Sequence, residues 1–177
     1  MAVKGGLRVG QIGVTLIVQD VAGAAAFYVD VLGFEEVRRH SSPIPTDPPG
    51  PDMHSVELRL GDAYLIVARE NPRWKDAPRP DWPRSPTSAG AASAAYTLYV
   101  DNVADVMDRA LAAGATPQTR RRTPEHTYWG DRVVQFYDPF GHIWRIQQRV
   151  EDVEFDELPA RFEAQRAAFR AARPARE

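Results

Sequence analysis

The stretch "TLIVQDVAGAAAFYVDVLGFEEVRR" (residues 15–39) decides the fold, because an altered copy of it follows later in the chain. The second copy is "TLYVDNVADVMDRALAAGATPQTRR" (residues 97–121). An internal repeat of this length indicates two copies of one structural unit packed together. The equivalent positions are Thr15 and Thr97, Val18 and Val100, Val21 and Val103 and, after one gap, Gly33 and Gly114.

Each copy predicts a strand, a helix, a second strand and then a hairpin. In the first copy, Val21, Ala24, Tyr28 and Leu32 recur at helical spacing, and Gly33 suits the end of a helix. The hairpins are "HSVELRLGDAYLIVARE" in the first half and "DRVVQFYDPFGHIWRIQQ" in the second. Each half therefore has the order βαβββ.

These elements predict an α+β fold, in which two tandem βαβββ modules form a curved, cup-shaped mixed sheet with the helices outside. The inner face of such a cup suits a small ligand. We expect a single domain over residues 1–153. Within it, module one spans about residues 10–70, a loop rich in proline and tryptophan spans 71–91, and module two spans about 92–149. A helical tail follows at residues 154–177.

Three further segments have readable patterns. "SSPIPTDPPGPD" (residues 41–52) is rich in proline and predicts a loop, whereas "TPQTRRRT" (residues 116–123) predicts a strand. The loop at residues 71–91 carries Trp74 and Trp82, which favours a packed loop over a linker. In the tail, Leu158, Phe162 and Phe169 share one helical stripe, which we expect to dock on the domain or on a second chain.

Composition excludes several classes of protein. The formal net charge of -2 argues against a nucleic-acid-binding surface. With no cysteine, the chain has no disulfide, thiolate nucleophile or cysteine metal ligand. No apolar run approaches the roughly 20 residues that cross a membrane, and the first residues are not typical of a signal peptide. We expect a cytoplasmic protein with no nucleic-acid or membrane partner.

The repeat and two motifs resemble a known superfamily. "DVAGAAAFYVDVLGF" is similar to the first strand and helix of the vicinal oxygen chelate superfamily, which includes glyoxalase I, bleomycin-resistance proteins and extradiol dioxygenases. "WGDR", "DPFGHIWRI" and "VEDV" resemble its PhnB-like branch, and the resemblance covers about residues 10–153. It implies a small-molecule ligand and a homodimer, because drug-resistance members usually bind ligands in clefts between two chains.

The resemblance also locates the superfamily's four metal-ligand positions, which align with Gly13, Ile66, Ala95 and Arg145. None of these side chains donates a lone pair to a metal ion. A slip of one residue would bring in only the oxygen of Tyr96, a poor zinc ligand. We therefore expect no metal site and no cofactor.

The histidines do not replace the missing ligands. His40, His54, His126 and His142 lie in four different segments, without the spacing of a metal-binding pair. We interpret His142 as a polar residue at the rim, satisfied by backbone groups. The neighbouring Asp138, Pro139 and Gly141 are interpreted as turn residues.

Strand alternation separates core from cup. The apolar set Val56, Leu58, Leu60, Leu65, Val67, Leu98, Val100, Val134, Phe136, Trp144 and Ile146 should face the helices. The neighbours of these residues should face the cup and include Thr15, Ile17, Glu57, Arg59, Tyr64, Ile66, Thr97, Tyr99, Gln135, Tyr137 and Arg145.

The candidate ligand-binding residues are the polar and aromatic members of the cup set together with side chains on loops that could cover its mouth. Tyrosine and tryptophan offer flat apolar area, and arginine clamps carboxylates or phosphates, so a planar or anionic ligand is expected. Alternatively, Glu57, Arg59 and Arg145 neutralise one another. Asp131 and Arg132 are expected to fix the loop by an ion pair. The ligand-binding set is Arg59, Tyr64, Tyr99, Gln135, Tyr137, Arg145, Trp74, Trp82, His126 and Trp129.

Three functions fit these patterns. The first is a metal-free protein that binds a planar or anionic organic compound, such as a natural product or antibiotic. The second is an enzyme: a metal-free isomerase, cyclase or lyase with Glu57 as catalytic base and Arg59 or Arg145 stabilising an oxyanion, or a metal-dependent glyoxalase or dioxygenase. The third is a structural or regulatory module acting through the basic C-terminal helix.

Overall fold

The computed structural model describes residues 6–7, 9–41, 53–76, 79–118 and 124–172. Nearly all of the predicted loop at residues 41–52 lies outside the described residues, and so does most of the predicted strand at 116–123. The last five residues of the tail also lie outside them.

Module one forms a four-stranded sheet with strand order β1-β4-β3-β2. Strand β1 is parallel to β4, and the other neighbours are antiparallel. The side chain of Asp20 accepts the backbone N–H of Gly23 and so caps the first helix, which a left-handed Gly33 follows. The elements are β1 (Gly13–Val18), α1 (Val21–Asp30), β2 (Glu35–Ser41), β3 (Met53–Leu60) and β4 (Ala63–Arg69).

Module two repeats this plan, and two short strands stand at the place of β2. The element order continues with α2 (Pro86–Ala89), β5 (Ala95–Tyr99), α3 (Val103–Ala112), β6 (Thr116–Pro117), β7 (Glu125–His126), β8 (Asp131–Tyr137) and β9 (Ile143–Arg149). The sheet order is β5-β9-β8-β6, and β7 also pairs with β8. Asn102 caps α3 as Asp20 caps α1.

One hydrophobic core joins the modules. The apolar strand residues predicted to face the helices all belong to this core or pack against it. Phe27 of α1 contacts the ring of Phe136 on β8 in the other module, and Tyr28 contacts Trp144 on β9. The predicted α+β fold is confirmed, with open curved sheets whose hydrogen bonding stays within each module among the described strands.

The loop between the modules packs against the domain. It contains a 3₁₀ turn (Pro72–Lys75) and the short α2, whose cap Ser85 is fully buried and donates its backbone N–H to Glu70. Nearby, His142 is buried and its Nε2 lies 3.2 Å from the carbonyl oxygen of Ile17. The backbone partner of His142 was predicted, but its rim position is wrong, because the hairpin turn lies against β1.

The C-terminal segment forms a 3₁₀ turn (Phe155–Glu157) and then α4 (Leu158–Ala171). Phe162 packs edge-on against Tyr128, with ring centroids 5.2 Å apart. Arg161 pairs with Glu151, two residues after the end of β9. Of the two predicted positions, α4 therefore occupies the one on its own domain. Across the described ranges, no helix has the length and apolarity to cross a membrane.

Candidate functional site: a cavity under the C-terminal helix

A cavity of about 280 Å³ lies between the sheet of module two and α4. Its floor includes Arg145 of β9 and Gln135 of β8, which face each other directly across the strand pair. The side chain of Trp129 forms part of the wall, and α4 contributes Phe169. The full lining is Glu125, His126, Thr127, Trp129, Val133, Val134, Gln135, Arg145, Gln165 and Phe169.

Arg145 is the central charged group on the floor. With the amide oxygen of Gln135 turned towards it, Arg145 donates from Nε at 2.9 Å and from Nη2 at 3.1 Å. In the same orientation the amide nitrogen of Gln135 donates to Oε1 of Gln118. Among the described residues, no carboxylate forms an ion pair with Arg145. Its side chain is thus oriented by a neutral group, which leaves its positive charge available to a ligand.

Asp131 holds the wall of the cavity in place. It is fully buried and accepts hydrogen bonds from Tyr99 Oη at 2.8 Å and Trp129 Nε1 at 2.9 Å, while Arg149 Nε lies 2.5 Å from its other oxygen. Its backbone is also bonded to Thr127. The expected structural role of Asp131 fits this geometry, but the predicted partner Arg132 is wrong, since Arg149 forms the ion pair.

His126 connects the cavity to the C-terminal helix. Its backbone oxygen accepts a hydrogen bond from Nε2 of Gln165 at 3.0 Å. Its ring Nε2 lies 3.1 Å from Nε of Arg132, and because arginine Nε is a donor, the ring nitrogen is the acceptor.

Glu57 lies in a separate polar cluster in module one. Its carboxylate accepts from Arg38 at 2.7 Å, from His40 at 2.8 Å and from the hydroxyl of Tyr64. Burial raises the pKa of Glu57, but the hydrogen bonds from Arg38, Tyr64 and His40 outweigh it and lower the pKa to about 2. Burial and the adjacent carboxylate raise the pKa of Tyr64 to about 12.

The expectation that Glu57, Arg59 and Arg145 neutralise one another is therefore wrong, because each of them contacts a different group. Arg59 is exposed and lies 3.5 Å from Glu35, while Arg145 contacts Gln135. An extra residue in β2, between Glu36 and Arg38, places Arg38 opposite Glu57. This bulge shifts the side-chain alternation of the strand, so the ion pair could not be inferred from regular alternation.

The structure brings together only part of the predicted ligand-binding set. Four of its members line the cavity: His126, Trp129, Gln135 and Arg145. Tyr99 is bonded to Asp131 and, like Tyr137, is exposed. Trp74 lies under the guanidinium of Arg84 and Trp82 under that of Arg79. Neither of these indoles lines the cavity.

Two lining residues, Gln165 and Phe169, were missed because they lie on the C-terminal helix. The only signal was the apolar stripe of Phe162 and Phe169, which indicates docking but not a target. Glu125 and Val133 were missed as well. Val133 shares a strand face with Gln135, so alternation along β8 could have found it.

The donor set does not fit the metal site that such two-module cups can hold. On the polar face of module one, Gly13 lies opposite Tyr64, and Thr15 lies opposite Ile66. In module two, Ala95 lies opposite Ile143, and Thr97 lies opposite Arg145. Within the described residues, no group of three or more histidine or acidic side chains could hold a metal ion. The side chains present at these positions therefore do not fit a metal ion.

The fold defines a class of protein in which two βαβββ modules pack together with open curved sheets. Residues 9–146 match the family model of the Glyoxalase/Bleomycin resistance protein/Dioxygenase superfamily, and the chain belongs to that superfamily. The match ends before α4 begins.

Other proteins are similar to this chain in sequence or in fold. An uncharacterized protein of Mycobacterium bovis is 33% identical over 153 residues, covering 85% of this chain and 90% of its own length. A protein of Pseudomonas aeruginosa shares the fold with a TM-score of 0.59 and 23% identity, over 80% of this chain and 98% of its own. A glyoxalase/bleomycin resistance protein/dioxygenase family enzyme of Burkholderia phytofirmans has a TM-score of 0.57 and 22% identity, over 78% of this chain and 97% of its own.

Proposed function

We propose that this protein binds a small planar organic anion, such as an aromatic carboxylate, in the cavity of module two, without a metal. The observation that carries the proposal is Arg145, half-buried on the cavity floor and held by the neutral Gln135. A guanidinium fixed in this way presents two parallel N–H donors to a carboxylate. The aromatic rings of Trp129 and Phe169 supply apolar area for a flat ligand.

The size of the cavity limits the ligand. At about 280 Å³ it lies near the lower end of ligand pockets, which start at about 300 Å³. A single aromatic ring, or two fused rings, bearing a carboxylate fits a cavity of this volume. A natural product or antibiotic fragment of that size is the ligand class we favour. Membership in the PhnB-like branch, a homodimer and a cytoplasmic location belong to the same proposal.

A metal-free enzyme that uses Glu57 is the less favoured alternative. Glu57 lies in the module-one cluster, outside the lining of the cavity that contains Arg145. With its pKa lowered to about 2 by Arg38, Tyr64 and His40 against the effect of burial, its carboxylate has little affinity for a proton. The geometry therefore supports binding better than proton abstraction by this group.

Calorimetric titration tests the binding proposal. The purified chain is titrated with benzoate, salicylate and 1-naphthoate, and with the neutral amide of each acid. We expect the carboxylates to bind and the amides to bind at least tenfold more weakly, because Arg145 then loses its ionic partner. The variant R145Q should lose at least tenfold in carboxylate affinity. Its matched control R59Q removes an exposed arginine of module one and should bind as the parent does.

Two outcomes would contradict the proposal. Equal affinity for acids and amides, or unchanged affinity in R145Q, would show that Arg145 does not contact the ligand. Turnover of a carbonyl or phenolic substrate that a chelator abolishes would instead establish a metal-dependent enzyme. Measuring both affinity and turnover in the presence and absence of zinc and a chelator distinguishes these results.

A further inference from the structure

Helix α4 covers a cavity whose other walls belong to module two. Gln165 and Phe169 line the cavity from this helix, and Gln165 donates to the backbone oxygen of His126 on the opposite wall. The helix carries no buried residue, and Phe162 and Phe169 are 44% and 56% exposed. An element with so little buried area opens at low free-energy cost relative to the core.

Polar contacts at its first turn attach α4 to the domain. Nη1 and Nη2 of Arg161 lie 2.9 and 2.6 Å from the carboxylate oxygens of Glu151, and Arg161 also contacts Glu157. Glu151 is itself fixed, because its backbone N–H donates to the carbonyl oxygen of Gly130 beside Trp129. A side chain on Gly130 would collide with the backbone of Glu151, so the two segments lie in close contact.

We propose that α4 is a lid on the cavity, latched by Arg161 and Glu151, and that ligands larger than the opening enter and leave only when it lifts. The pivot lies between Glu151, which is bonded to Gly130, and the 3₁₀ turn that begins at Phe155. The identity of the ligand depends on the proposed function, whereas the opening and closing of α4 does not. The lid also makes Gln165 and Phe169 determinants of ligand size, since they set the height of the cavity.

The absence of cysteine permits a direct measurement of lid opening. The substitution Val133→Cys places the single thiol inside the cavity, where the parent side chain is half-buried. A bulky reagent, fluorescein maleimide, exceeds a cavity of about 280 Å³ and should react only when α4 lifts. Reference thiols are placed at exposed Thr15 and at Met107, which is 2% exposed in the core.

We expect V133C to react more slowly than T15C and faster than M107C, since the core thiol of M107C becomes accessible to the reagent only on global unfolding. Adding R161Q to V133C should raise its labelling rate about fivefold, because an ion pair that held the helix is lost. Adding R166Q should not change the rate, since within the described part of the chain Arg166 pairs with Glu163 of the same helix. Circular dichroism confirms that each variant is folded.

Three results would overturn the lid. V133C could react as fast as T15C, it could react no faster than M107C, or R161Q could leave its rate unchanged. A further arm uses a carboxylate found by calorimetry, whose dissociation rate should rise about fivefold in R161Q. If no carboxylate binds, the labelling rates still decide the lid. If a carboxylate binds but V133C is labelled as fast as T15C, the proposed lid is wrong and the proposed function stands.

Discussion

At the scale of single residues, Glu57 shows how a cluster of donors fixes the ionisation of a buried carboxylate. Its pKa is raised by burial but lowered to about 2 by its three hydrogen-bond partners, compared with 4.5 for a free glutamate. A group with a lowered folded pKa stabilises the fold above its unfolded pKa. That contribution is fully present above about pH 4.5 and is lost as the pH falls from 4.5 towards 2.

The variant E57Q tests this ionic cluster. At pH 7 we expect it to lower the free energy of unfolding by about 1–3 kcal/mol, because the partners of Glu57 lose a charged acceptor. Between pH 6 and 3 the parent should lose more stability than E57Q, measured by urea denaturation at each pH. The control E35Q, which removes an exposed carboxylate paired with Arg59, should retain the parent's pH dependence. Identical pH profiles for E57Q and the parent would contradict the cluster's role.

Tyr64 extends the same cluster to alkaline pH. Burial and the contact with Glu57 raise the pKa of its hydroxyl to about 12 from 10. A raised folded pKa gives stability that is present below pH 10 and lost as the pH rises towards 12. The cluster therefore favours one protonation state, in which the carboxylate is ionised and the phenol is neutral, over most of the pH range.

At the scale of elements, Asp131 ties the cavity loop to two strands. Its side chain accepts from Trp129 on the loop, Tyr99 on β5 and Arg149 on β9. It does not line the cavity, so it is a positioning residue for Trp129. Loss of its charge should loosen the wall without removing a ligand contact.

The variant D131N is expected to lower the free energy of unfolding by about 1–3 kcal/mol, because its amide replaces one of the two acceptor oxygens with an NH2 donor. Carboxylate affinity should fall with it, while the preference for acid over amide stays, since Arg145 is intact. Calorimetry and urea denaturation measure the two effects. The matched control D152N removes the exposed carboxylate 3.8 Å from the same Arg149 and should change neither. A loss of acid preference in D131N would assign Asp131 to the ligand contact itself.

The elements themselves were largely predictable, and their side-chain partners less so. The repeat and the alternation of Val56, Leu58, Val134 and Phe136 locate strands and core, since a buried face imposes a period of two on the sequence. The short β7, the bulge before Arg38 and the docking of α4 depend on contacts between distant segments. For that reason the sequence predicted Arg145 and Trp129 as site residues but missed Gln165 and Phe169.

At the scale of the whole molecule, Asp138 joins the two modules. It was interpreted as a turn residue, and its Oδ1 does accept the backbone N–H groups of Phe140 and His142. Its Oδ2 accepts from Trp144 Nε1 at 3.0 Å and, across the module boundary, from the hydroxyl of Tyr28 at 2.7 Å. Burial and the neighbouring carboxylate raise the pKa of Tyr28 well above its ordinary value, so this hydroxyl stays a donor.

The variant Y28F removes only the donor between the modules and keeps the ring that contacts Trp144 and Phe140. We expect the free energy of unfolding to fall by about 1–2 kcal/mol, since Asp138 loses one buried partner and keeps three. Because one core spans both modules, urea denaturation should remain a single transition, coincident by tryptophan fluorescence and circular dichroism. The control Y137F, at an exposed tyrosine, should change stability by less than about 0.5 kcal/mol. Two separated transitions in Y28F would instead show that this hydrogen bond, and not the shared core, couples the modules.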